Sequence, residues 1–406
     1  MRCRFTLVAV AACYKAGSEP ACGVSCASDR WCPGSLVCGD HNLCNDPRGS
    51  ACSTDATTGD ALVPLDAAID APKGCFGHFG VVVCPGDVTG TTGVAPPMID
   101  TGNDNMCSFV RNGFCVIAGT TFTINDSVTI TGTRPLVIYG SVDLTINAIA
   151  TLDASSHIHG LTGPAANDPA CTTLNLGGSD DGKDGGGGGA GGSFGTLGGS
   201  GGNGNGGNGV GANAGIPGTP VMATSVRGGC PGGTGGKSIS SPGAPGGSGG
   251  GAIYLVSGGT IAVSGAIAAS GAGGSAGPAS MPGGGGGGGS GGLVVFDAPS
   301  VTFNAGSVVV ANGGGGGGSS RTTTATDGAD PTITFPQTAA VGGKGNPPNG
   351  QGGAGSTTAS PGAGTDGPAI GIDTGGGGGG GGGGHIVVFS PSFTSNGTAV
   401  PGYELL

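Results

Sequence analysis

Two imidazoles stand two positions apart at His157-Ile158-His159. On a strand, alternate side chains share a face, so this pair could offer two nitrogens to one metal ion. No third ligand lies at a matching spacing, and the pair falls where strand gives way to loop. Structural or solvated histidines are the expectation. Asp180-Asp181-Gly182-Lys183-Asp184-Gly185 echoes a calcium loop. It lacks the regular alternation of ligands and the closing glutamate such a loop needs. Asn103-Asp104-Asn105 reads as an oxygen-rich turn. Calcium is the one ion these loops suggest, and no other cofactor is expected. Gly342-Gly343-Lys344-Gly345 lacks the flanking strand and helix of a phosphate loop. Asp143, Asp153 and Asp297 are the carboxylates of the apolar strand segments. Asp143 and Asp297 sit at unmatched offsets, so a two-carboxylate hydrolase site is not expected. No Ser-His-Asp or Cys-His grouping is visible. The sequence therefore predicts no catalytic, cofactor-binding or metal-binding residues, and a protein that is not an enzyme.

Cysteine is the other reactive type, with fourteen in the chain. A basic start at Met1-Arg2-Cys3-Arg4 and an apolar stretch at 5–12 read as a signal peptide over 1–12. The quartet Val10-Ala11-Ala12-Cys13 resembles a bacterial lipobox, which makes Cys13 the lipid anchor. Without Cys3 and Cys13, twelve cysteines remain, an even number. Six crowd a short module over 13–52: Cys22, Cys26, Cys32, Cys38, Cys44 and Cys52. A segment this small cannot build an apolar core and is expected to be stapled by disulfides, whose pairing sequence does not choose. Zinc is the rival reading, but only Cys22 and Cys26, with His41 nearby, have suitable spacing. Cys75, Cys84, Cys107 and Cys115 are disulfide candidates at the start of the β-region. Cys171 and Cys230 lie in a glycine-rich insertion. Joining them would close a loop of about 60 residues, worth about 4 kcal/mol in the chain-entropy model.

What positions these residues follows from composition. Of 406 residues 100 are glycine, 9% are charged and 4% aromatic. The acids are 22 Asp and only two Glu, Glu19 and Glu404. Glycine disfavours helix and Val, Ile and Thr favour strands, so the chain is expected to be all-β. A net charge of −11 argues against a nucleic-acid partner, whose phosphates need Lys and Arg. No apolar run reaches the length that spans a bilayer.

Residues 53–74, rich in Ala, Asp, Thr and Pro, show no sustained period and read as a flexible linker. The β-domain is expected over 75–400. Three phrases repeat within it, at 135–155, 252–271 and 293–313. With Leu136, Ile253 and Leu293 aligned, apolar residues recur eight positions on at Leu144, Ile261 and Val301. Fourteen positions on stand Ala150, Ile267 and Ser307-Val308. Three short strands at shared offsets predict a short right-handed parallel β-helix, a three-sided solenoid, with long glycine-rich loop insertions at 156–250, 271–292 and 312–384. An antiparallel sandwich is the alternative. The glycine tracts read either as linkers or as chains packed side by side like polyglycine helices.

The module CASDRWCPGSLVCGDHNLC, the spacer LDAAIDAP and the phrases TRPLVIYGSVDLTI and GGGAIYLVSGGTIAVSG carry a resemblance. The chain resembles the glycine-rich secreted lipoproteins of myxobacteria and related bacteria, a group without an established activity. The resemblance implies localisation and architecture and carries over no functional residue. Together these readings predict an exported, lipid-anchored protein, outer membrane-anchored or extracellular, with a structural or adhesive role. Its expected partners are the membrane, through the N-terminal lipid, and envelope or matrix polysaccharide. The alternative is a carbohydrate-binding or polysaccharide-cleaving β-helix protein.

Overall fold

The computed structural model describes residues 74–406, apart from 89, 91, 172–175, 180–184, 208–210, 239–241, 280–281 and 322, together with strands β1 (Val37–Cys38) and β2 (Cys44–Asn45). The chain divides into two units, Met1–Ala67 and Ala68–Leu406. In the first, β1 and β2 pair antiparallel, with Cys38 opposite Cys44. The signal peptide, Cys13, the pairing of the six module cysteines and the linker as far as residue 73 lie outside the described residues.

The second unit opens with β3 (Thr92–Val94), β4 (Met98–Asp100), β5 (Phe109–Arg111), β6 (Phe114–Ile124) and β7 (Val128–Thr131). Next come β8 (Leu136–Ile146) and β9 (Thr151–Asp153). Three strand triplets follow: β10 (Ala252–Ser257), β11 (Thr260–Val263) and β12 (Ala266–Ala268); β13 (Leu293–Asp297), β14 (Ser300–Phe303) and β15 (Val308–Val310); β16 (His385–Phe389), β17 (Ser392–Ser395) and β18 (Thr398–Val400). β19 (Glu404–Leu405) is last. Among the described residues the helical elements are two single 3₁₀ turns, Pro85–Asp87 and Asp104–Met106.

These strands form two sheets, and this corrects the expected three-sided β-helix. The larger has eleven strands, ordered β17-β14-β11-β8-β10-β13-β16-β19, with β6 joined to β8 and β3 and β5 joined to β6. The smaller has six, ordered β18-β15-β12-β9-β7-β4. Two of the three expected sides are one sheet because β8 runs unbroken for eleven residues. Its first half pairs with β10 and its second with β11. β6 runs alongside β8 with a single irregularity between Gly119 and Thr121. Gly140 lets β8 bend without stopping: a Cβ there would collide with the Asp143 carbonyl, so only a bare backbone passes. All pairings within the two sheets are parallel except β5 against β6.

Register departs from the expected alignment by small steps. Ile253 stands opposite Leu136 and Val294, while Leu293 faces Ala252. Ile261 faces Leu144 and Val301. Ile267 faces Leu152 and Val309, so Ala150 and Ser307 precede their strands. One residue of slip moves a side chain to the opposite face. Leu136, Ile253, Val294 and Ile386 thus enter one apolar cluster, between the sheets. Val137, Tyr254, Val295 and Val387 enter a second, with Val81, Val83, Phe194 and the Cys171–Cys230 pair. Burial on both faces explains why the first half of β8 and strands β10, β13 and β16 are nearly continuous apolar runs. β11 and β14 each have one partly exposed face and alternate instead.

The glycine-rich insertions between β9 and β10, β12 and β13, and β15 and β16 are packed chains rather than linkers, and form a body of their own. In 283–292, backbone N–H donors turn to three neighbours in rotation. Gly285, Gly288 and Gly291 donate to Gly376, Gly379 and Gly382. Gly286, Gly289 and Gly292 donate to Ser275, Ala272 and Ala269, and Gly284, Gly287 and Ser290 to Gly236, Gly233 and Cys230. Its carbonyls accept from three other neighbours, at Gly189 and Gly192, Gly314 and Gly317, and Gly247 and Gly250. This three-residue rotation is that of the polyproline II helix. Six neighbours surround the chain, which leaves little room for side chains: Ser290 is the one residue of 283–292 that carries one, and it is fully buried. A Cβ on Gly287 would sit inside the Ala190 carbonyl, and one on Gly378 inside that of Gly286. Segments 185–192 and 375–384 complete a ring with it: Gly376 donates to Gly186, and Gly189 to Gly285. Buried backbone that lacks a β-ladder is satisfied here by neighbouring tracts.

Candidate functional site

The titratable side chains of the second unit sit mainly where separate segments meet. Asp297, ending β13, is only 8% exposed. The Tyr254 hydroxyl of β10 donates to its Oδ2 at 2.6 Å, and His78 Nδ1 lies 2.9 Å from the same oxygen. The His78 N–H donates to the Tyr254 hydroxyl at 2.8 Å, and its ring stacks on Phe389 with centroids 4.0 Å apart. This group ties residues 74–84 to the larger sheet. In β16, His385 Nδ1 lies 2.7 Å from Glu404 and Nε2 lies 3.0 Å from the Val221 carbonyl. The His385 hydrogen bond holds the Glu404 carboxyl below its usual range.

The His-x-His pair does not converge on one point. His157 Nε2 lies 3.4 Å from Asp153 and Nδ1 3.4 Å from Asp330. His159 Nε2 lies 3.0 Å from Asp327 instead. A left-handed backbone at His159, φ 53°, breaks the alternation that a strand would impose. Asp153, then Asp330, hold the His157 imidazolium in its charged form, pushing its pKa up to about 10. Burial tends to raise Asp153, but hydrogen bonds from His157 and Ser155 outweigh it and hold the carboxyl low. Asp330 also accepts N–H bonds from Ile158 and Gly273. Among the described residues no group of three or more His, Cys, Asp or Glu is placed to hold a metal ion.

The other candidates have ordinary partners. Asp143 accepts from the Thr260 hydroxyl at 2.6 Å across the strand pair. Asn103 caps the turn at Asp104–Met106, and Asp104 pairs with Arg134 at 2.6 Å. Gly343 donates to Gly316 within the glycine body. Asp180, Asp181, Lys183 and Asp184 lie outside the described residues. Disulfides join Cys75 to Cys84, Cys107 to Cys115 and Cys171 to Cys230.

Sequence reasoning did not single out Arg227 or Asp168. Arg227 is 5% exposed, with its guanidinium 4.9 Å from the Phe194 ring centroid. Nη1 lies 3.4 Å from Asp168 Oδ1, and Nη2 lies 3.6 and 3.9 Å from the sulfurs of Cys230 and Cys171. Nε is buried without a hydrogen-bond partner. Arg227 and Asp168 line an open cavity of about 310 Å³ with Asn112, Phe114, Thr133 and Pro135. A second hollow, of about 360 Å³, lies among Leu197, Pro217 and Pro361. The sequence signal for the first was two charges, at 168 and 227, in stretches otherwise nearly free of them.

No family model matches this chain, no curated protein matches it, and no solved structure matches it.

Proposed function

We propose that this is an exported protein, anchored by a lipid at Cys13, with a structural or adhesive role at the outer membrane or outside the cell. The observation that carries the reading is the glycine body. Segments 185–192, 283–292 and 375–384 spend their backbone on hydrogen bonds to one another and to neighbouring stretches, and beyond glycine they carry only Ala190 and the buried Ser290. Such a body suits a rigid platform. Three disulfides suit an oxidising compartment. The net charge of −11 fits a solvated surface and disfavours nucleic acid as a partner. Envelope or matrix polysaccharide is the partner this reading implies.

The full chain, expressed with its own leader in a bacterium that processes lipoproteins, tests it. Labelled palmitate should enter the protein, and the protein should sediment with outer membranes. Cys13→Ser should abolish both. Intact cells carrying the protein should be retained on insoluble polysaccharide, and cells lacking it should not. Catalytic turnover of a polysaccharide would replace the structural reading with an enzymatic one.

A further inference from the structure

We propose that the cavity beside Arg227 binds a single saccharide ring through adjacent hydroxyl groups. The proposal deepens the adhesive reading, and rests on it in taking polysaccharide as the source of the ring. A buried guanidinium is stable when its donors and its charge are matched. Arg227 is matched poorly. Its one carboxylate partner is 3.4 Å away, beyond the usual range of a charge-assisted bond. Nη2 faces sulfurs, which are weak acceptors, and Nε has no partner. Asp168 is also under-used: Oδ1 accepts from the Ala170 N–H at 2.7 Å and lies nearest Arg227. Its Oδ2 has no hydrogen-bond partner among the described residues.

The two side chains line the same space, so the cavity presents a cationic donor beside an anionic acceptor. A small anion would meet Asp168, and a cation would meet Arg227. A neutral polyol suits both: one hydroxyl donates to Asp168 while its neighbour accepts from Arg227. Phe114, Pro135 and Val226 supply apolar wall for the C–H face of a ring, and Thr133 and Asn112 add polar groups to the lining. The wall is held firmly. Ala165 keeps a left-handed backbone, φ 53°, through its N–H bond to Gly132 and the bond its carbonyl accepts from Gly228. About 310 Å³ is at the small end of ligand cavities and fits one ring better than a chain of them.

The test uses the full oxidised chain and saturation-transfer NMR, with titration calorimetry for affinity. The probes are glucose, galactose, mannose, fucose and N-acetylglucosamine, with sodium sulfate and sodium acetate for comparison. At least one sugar should bind with a millimolar Kd. Asp168→Asn should weaken it roughly tenfold, the size expected for losing a charged hydrogen-bond partner. Asn112→Gly, which keeps the turn backbone, should weaken it less. Arg227→Met should abolish it, and the Asp168 and Asn112 variants keep the test decisive if Arg227→Met fails to fold. Tighter binding of sulfate or acetate than of any sugar would overturn the proposal in favour of an anion site. Sugar binding untouched by the Asp168 and Asn112 variants would place the sugar elsewhere and overturn it too. Polysaccharide retention without monosaccharide binding would sink this site and leave the adhesive reading standing. Monosaccharide binding without retention on polysaccharide would support the site and sink that reading.

Discussion

His157 Nδ1 lies 3.4 Å from Asp330 Oδ2, which ties the segment after β9 to the third glycine-rich stretch. Asp330 is held in turn by the N–H groups of Ile158 and Gly273. One carboxylate thus joins three segments far apart in sequence.

The pH dependence of this contact has a definite sign. The pKa of His157 is raised from 6.5 to about 10 by Asp153 and Asp330. A raised imidazole contributes its full stabilisation below its ordinary pKa and loses it as pH rises through the folded value. The melting temperature of Asp330→Asn should therefore fall a few degrees below wild type at neutral pH. The difference should narrow as pH rises toward 10. Asp153 and Glu404 act at the other end: held low in the fold, they stabilise above the ordinary carboxylate range and lose that effect as pH falls below it. A difference between Asp330→Asn and wild type that grew from pH 7 to 10 would contradict the assignment.

The glycine body predicts an asymmetry among glycine-to-alanine changes. A Cβ at position 287 meets the Ala190 carbonyl, whereas one at 402 meets nothing. Gly287→Ala should cost more than about 2 kcal/mol, the range of an overpacked interior. Gly402→Ala should stay within about 0.5 kcal/mol. Denaturant midpoints of the two variants measure both. Equal midpoints would show that the tracts are not closely packed.

Amide exchange offers an independent check on the same body. Glycines in 186–192, 284–292 and 375–384 should exchange as slowly as residues of β10 and β13, because their N–H groups are bonded inside the body. Exchange at free-chain rates in these segments would be incompatible with the six-neighbour arrangement.

The Cys171–Cys230 bond spans 59 positions and underlies the apolar cluster that contains Phe194. Replacing both cysteines by serine should lower stability by about 4 kcal/mol, the chain-entropy cost of releasing a loop this long. Urea unfolding of the double variant with the other disulfides intact reads this directly.

Local chemistry determined a good deal here by itself. Val, Ile and Thr runs marked the strand segments, and the shared spacing brought Leu144, Ile261 and Val301 to one ladder position, because side-chain alternation is a property of the strand alone. Glycine content disfavoured helices for another local reason, the low helix propensity of a residue without a side chain. The tertiary structure decided the rest. β6 and β8 continue through the bend where a corner was expected, which merges two sides into one sheet. The one-residue slip at Leu293 depends on which face meets the second apolar cluster, and no single strand records that. A glycine tract has no side chain to carry register, so the partners of Gly285 or Gly376 exist only in the assembled backbone. Charge pairs such as His157 with Asp330 and Arg227 with Asp168 join residues from different segments; isolated charges can mark such residues in the sequence, but their spacing does not say which pair.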